Sequence, residues 1–168
     1  MSIRFHSAVL FTADIKRLSA FYMEVLDQQV QYDVGACVIF QCGLSLWQPS
    51  NELTMAAKLG YCCHPSGNKN LELCFETETF ASDVERIKAA GATLLHDVVE
   101  EPWGQRALRF FDPDGNVVEL GESIPTFVRR HYAAGLSAEA VAERTGVPLE
   151  AVRQHITQAI DSGQVKDR

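Results

Sequence analysis

RALRFFDPDGNVVELGE, residues 106–122, places two short apolar strands on either side of Asp112-Pro113-Asp114-Gly115-Asn116, and turn-forming residues packed this densely demand a tight hairpin. Ahead of it, Thr93–Val99 reads as a further strand. Before that strand, Ser82 or Asp83 is expected to cap a helix with Val84, Ile87 and Lys88 on its inner side, closed by Gly91. Leu71–Thr77 alternates as the strand that opens the series. The order is strand, helix, strand, strand, strand.

The first third of the chain repeats this order. Ile3–Phe11 is rich in β-formers, and Asp14 is placed to cap a helix in which Ile15, Leu18, Phe21, Tyr22, Val25 and Leu26 share one face. Three short strands follow, around Gln28–Asp33, Ala36–Cys42 and Leu44–Gln48, with Gly35 and Gly43 as turns. An internal duplication of this kind sets the fold class: α+β, two βαβββ modules (about 3–48 and 70–122) forming a cupped mixed sheet around one ligand-sized cavity. Residues 1–124 then form one domain, with a linker at 49–69 that reads as a crossover or a lid. From 125 to 168 the pattern is helical. Pro125 suits a first turn, Ser137 can cap Ala138–Arg144, Gly146 makes a turn, and Pro148 starts a last helix.

Composition narrows the function classes. The chain of 168 residues is 46% hydrophobic with a formal net charge of −7, which argues against nucleic acid or an anionic membrane as main partner. No apolar run approaches the roughly 20 residues of a membrane span, and the N-terminus lacks the apolar core of a signal peptide. Five cysteines without CxxC spacing point to a reduced, cytoplasmic protein. Cys62-Cys63-His64 could bind metal or react as a thiol, although it has no partner spacing.

Period-2 alternation sorts the strand faces. If Phe111 lies opposite Val117, then Arg109 lies opposite Glu119, and Leu108, Phe110, Val118 and Leu120 share the apolar face. The polar, cup-facing set is Glu119, Arg109, Glu72, Asn70, Ser45 and Trp47, with Trp103 at the mouth. Two readings stay open: a structural cross-strand ion pair, or a ligand site.

LFTADIKRLSAFYMEVLD, NLELCFE, EPWGQRALRFFDPDGNVVELGE and the repeat itself resemble the vicinal oxygen chelate superfamily, which includes glyoxalase I, extradiol dioxygenases, and the fosfomycin- and bleomycin-resistance proteins. With the helical tail, the chain looks like a bacterial branch described as glyoxalase-like. The resemblance covers about residues 3–122. It implies a homodimer and, in metal-dependent members, one ligand from each of four cup strands around a divalent Zn, Ni, Mn or Fe that polarises two neighbouring substrate oxygens. Carried over, the last ligand falls on Glu119, as in the family. The third falls on Asn70, where His is usual, and the second near Ser45, where Glu or His is usual. The first is Ser7 by alignment on Asp14 or His6 by alignment on an imidazole. Glu72 could substitute, giving a set of His6, Glu72 and Glu119.

Three readings follow. In a metal-dependent lyase, isomerase or dioxygenase-type enzyme, Glu119 would be ligand or base, Glu72 a second carboxylate, Arg109 the holder of an anionic substrate group and Trp47 an apolar wall. In a metal-free binder of the bleomycin-resistance type, the same cup would hold a small molecule without chemistry. In a ligand-sensing regulator, the tail would make the outward contact, since LSAEAVAERTGVPLEAVRQHI resembles a helix-turn-helix. The tail lacks a basic stripe, so packing or dimer contact is expected there rather than DNA.

Overall fold

A computed structural model describes residues 4–50, 55, 58, 67 and 70–166. Most of the linker, with Cys62, Cys63 and His64, lies outside the described residues. The first sheet comprises β1 (Ala8–Phe11), β2 (Val30–Asp33), β3 (Cys37–Phe40) and β4 (Leu44–Trp47), with α1 (Ile15–Glu24) between β1 and β2. Its order is β1-β4-β3-β2, β1 running parallel to β4 and the other pairs antiparallel. Leu10, Leu46 and Val38 stand in one cross-strand row, all buried, whereas the neighbouring row of Val9, Ser45 and Ile39 points to the opposite face. β1 is shorter than the sequence suggests. Its partner β4 begins only after the turn at Gly43 (φ +89°), so pairing starts at Ala8.

Asp14 caps α1 as expected, accepting the Arg17 backbone N–H at 3.1 Å. The second sheet is built from β5 (Glu72–Thr77), β6 (Thr93–Glu100), β7 (Arg106–Phe111) and β8 (Val117–Glu122), with α2 (Phe80–Ala89) after β5. Its order, β5-β8-β7-β6, repeats that of the first, so the α+β fold of duplicated βαβββ modules holds. α2 starts earlier than Ser82 or Asp83. The Asp83 carboxylate instead accepts hydrogen bonds from the hydroxyls of Thr77 and Thr79, which brings the turn ahead of Phe80 into the helix start.

By packing, the chain divides into two compact units. One takes in the chain up to Glu72 together with Arg86–Thr93 and the hairpin turn Phe111–Val117. There the Tyr22 hydroxyl donates to Asp112 Oδ2 at 2.9 Å, and Arg17 pairs with Asp114. Asp112 Oδ1 also accepts the backbone N–H groups of Asp114 and Asn116, both at 2.9 Å. Burial, and next the charge of Asp112, push the Tyr22 phenol far above its ordinary range.

The other unit takes in Leu73–Glu85, Leu94–Phe110 and the chain from Val118 on. Leu108, Phe110 and Val118 are fully buried in it. The tail forms α3 (Ile124–Ala133), α4 (Ala138–Thr145) and α5 (Leu149–Asp161), closed around Phe127, Val128, Val141, Val152 and Ile156. Gly146 ends α4 in the left-handed conformation (φ +71°) that glycine adopts without strain. The tail is tied to the second sheet by charge. Arg130 pairs with Glu122 and Glu100, Arg144 pairs with Glu100, and the buried His131 donates from Nε2 to the Gly104 carbonyl at 2.9 Å. Partial burial works to raise the Glu100 carboxyl, but the hydrogen bond from Arg144 and the charge of Arg130 outweigh it and hold the group below its ordinary value. Among the described residues no helix is long and apolar enough to cross a membrane.

Candidate functional site

The last hairpin positions the most polar group of the second sheet. Its turn is closed by the Asp112 N–H donating to the Asn116 carbonyl at 3.0 Å, and this register sets Arg109 of β7 opposite Glu119 of β8. The guanidinium pairs with the Glu119 carboxylate and also with Glu101, one residue beyond the end of β6. A third acceptor comes from β6. His96 Nδ1 lies 2.7 Å from the Asp97 carbonyl, which can only accept, so this nitrogen carries the proton. His96 Nε2 therefore presents its lone pair to Arg109, at 3.4 Å.

Burial makes these pairings consequential. The side chains of Arg109, Glu101 and Glu119 are 19%, 16% and 11% exposed, well below the exposure of freely hydrated surface ion pairs. One positive charge stands between two negative ones, so Arg109 is fully compensated before any ligand arrives. The two carboxylates are not equivalent. Glu119 is fixed inside β8 with its neighbours Val118 and Leu120 buried, whereas Glu101 sits on the connection leaving β6. Of the two, Glu101 is the more exposed, at 16% against 11% for Glu119.

The remaining residues singled out from sequence lie on other elements. Ser45 is buried in β4 between Val9 and Ile39. Trp47 packs edge-on against Phe11, with ring centres 5.7 Å apart. Asn70 is exposed in the turn before β5, Glu72 is exposed at the first position of β5, and His6 is exposed ahead of β1. These five belong to the first unit, while Arg109 and Glu119 belong to the second. Trp103 lies on the β6–β7 connection beside the tail, its indole N–H donating to Gln105 Oε1 at 3.0 Å. His96 and Glu101 were not singled out. The charged pair Glu100-Glu101 beside a strand end was the available signal, but the face of β6 could not be assigned without its register.

The divalent metal implied by the family resemblance does not fit this donor set. Glu119, expected from the resemblance as the last ligand, already holds a guanidinium, and a second cation on the same carboxylate would meet like-charge repulsion. Ser45 offers a neutral, buried hydroxyl where an imidazole or carboxylate is needed. Among the described residues no three His, Cys, Asp or Glu side chains stand close enough to share an ion.

Comparison with known proteins places the fold. A family model described as a glyoxalase-like domain matches residues 5–125. A protein of unknown function from Agrobacterium tumefaciens str. C58 is 29% identical, covering 74% of this chain and 97% of its own, with a TM-score of 0.65. A glyoxalase/bleomycin resistance protein/dioxygenase family enzyme from Burkholderia phytofirmans PsJN is 24% identical over 73% of this chain and 100% of its own, with a TM-score of 0.61. A lactoylglutathione lyase from Agrobacterium tumefaciens is 24% identical over 71% of this chain and 93% of its own, with a TM-score of 0.54. The last two are similar in fold alone. No protein of curated function matches the chain. With the family model spanning both modules, and with two four-stranded mixed sheets in the same strand order, the chain belongs to the glyoxalase-like domain family of the vicinal oxygen chelate superfamily.

Proposed function

We propose that this protein binds a small molecule carrying a carboxylate or a comparable oxyanion, and that Arg109 receives that group without a divalent metal on Glu119. The observation that carries the reading is the arrangement around the guanidinium, with one carboxylate fixed in a strand and the other on a connection. An incoming oxyanion replaces Glu101 on Arg109 as a bidentate partner, so one charge-assisted pair is exchanged for another. Glu119 and His96 keep the guanidinium plane in position during the exchange. Glu119 can also take a proton from the bound molecule, which is the role open to it in an enzyme of this family.

Pyruvate and benzoate serve as carboxylate probes in thermal-shift titrations of the whole chain. Glu101→Gln removes the competing charge and is expected to tighten carboxylate binding about tenfold, while Arg109→Met abolishes it. Equal affinity for the native chain and both variants would overturn the assignment.

A further inference from the structure

A cavity lies away from Arg109, where the edge of the second module meets the tail. It is an open cleft of about 430 Å³, within the range of roughly 300–1,000 Å³ of small-molecule sites. Its walls include Phe127 of α3 and Val147 and Pro148 of the α4–α5 turn, with Trp103, Glu76 of β5 and His155 of α5 around them. Seven of the eleven lining residues come from the tail, beyond the residues 5–125 that the family model matches.

Three features of the lining are chemically specific. The Trp103 indole is 43% exposed yet held in place, because its N–H donates to Gln105, whose amide in turn donates to the Glu122 carbonyl at 2.8 Å. His155 Nδ1 is buried without a hydrogen-bond partner among the described residues. Glu76 forms no side-chain ion pair or hydrogen bond among the described residues, and the nearby cations Arg130 and Arg144 are engaged by Glu122 and Glu100. An apolar slot, a fixed indole face and an uncompensated carboxylate, in a chain of net charge −7, together favour a cation with an apolar body.

We propose that this cavity binds a small arylalkyl or alicyclic amine. The ring enters between Trp103 and Phe127, and the ammonium group is attracted by Glu76 and by the quadrupole of the Trp103 indole. The His155 imidazole supplies a lone pair at the same wall. The site is independent of the oxyanion reading at Arg109, because it shares no residue with it.

The test uses phenethylamine as probe and 2-phenylethanol as its neutral counterpart. The chain has two tryptophans, so two indole N–H resonances are expected, and Trp103→Phe assigns one of them. Phenethylamine should move the Trp103 resonance saturably and leave that of Trp47 in place, with 2-phenylethanol about tenfold weaker. Glu76→Gln, at an exposed position, should bring the amine down to the level of the alcohol. Ala151→Phe, which fills the cavity from α5, should remove both responses. A stationary Trp103 resonance, equal binding of amine and alcohol, or an unchanged response in either variant overturns the proposal.

Discussion

Replacing Arg109 by Met keeps the apolar stem of the side chain and removes its charged head, leaving the Glu101 and Glu119 carboxylates, 16% and 11% exposed, without their shared cation. Removing one partner of a fully buried pair costs about 3–5 kcal/mol, and partial access to water lowers this to about 2–4 kcal/mol here. For a chain of this size each kcal/mol corresponds to roughly 2–4 °C in Tm, so the midpoint should fall by about 4–16 °C. Urea unfolding followed by circular dichroism should show the same loss with the slope unchanged. Adding Glu119→Gln to the variant removes the repulsion and should restore about 1–2 kcal/mol, a coupling that a double-mutant cycle reads directly. If Arg109→Met stays within about 0.5 kcal/mol of the native chain, or the double variant is no better than the single, the three side chains do not form the charge-coupled unit described above.

Adding Zn, Ni, Mn or Fe(II) to chelator-treated protein should leave the Tm of the native chain unchanged, since no donor set stands ready among the described residues; a saturable rise would refute this. Tyr22→Phe should cost about 1.5–3 kcal/mol, because it removes a buried hydrogen bond to the Asp112 carboxylate, measured by urea unfolding. The alkaline absorbance titration should keep its native amplitude in that variant, because Tyr22 stays protonated in the folded chain. The stability from Tyr22 is therefore present below the ordinary tyrosine value and lost as pH rises above it. Glu100 works in the opposite sense. Its lowered value means that its contribution is present above the ordinary glutamate value of 4.5 and disappears as pH falls through the folded value. Glu100→Gln should cost under about 1 kcal/mol at pH 7, discounted for exposure, and the difference from the native chain should vanish in acid melts.

The fold was legible because its signals are local and repeated. Asp14 before an apolar helical face and Asp112–Asn116 between two apolar strands each specify a conformation through nearby backbone groups. Arg109 opposite Glu119 followed from the same turn, since the hairpin register leaves no freedom two residues farther on. Where the reading failed, a partner outside the element itself decided. The start of β1 depended on where β4 begins, and the start of α2 on the hydroxyls of Thr77 and Thr79. His96 and Glu101 reach Arg109 across a connection, Glu101–Gln105, with none of the dipeptides that specify a two-residue turn, so alternation alone could not orient them.

Glu100 and Glu101 are consecutive residues that serve different masters. Glu100 holds the tail through Arg130 and Arg144, and Glu101 holds Arg109. The Glu101 backbone is held on both sides, its N–H donating to the Gln105 carbonyl and its carbonyl accepting the Gly104 N–H, both at 2.8 Å. A change of partner at Glu101 therefore needs only rotation about its side-chain bonds. The stretch that carries Glu100 stays where it is, and the tail keeps its anchor whatever occupies Arg109.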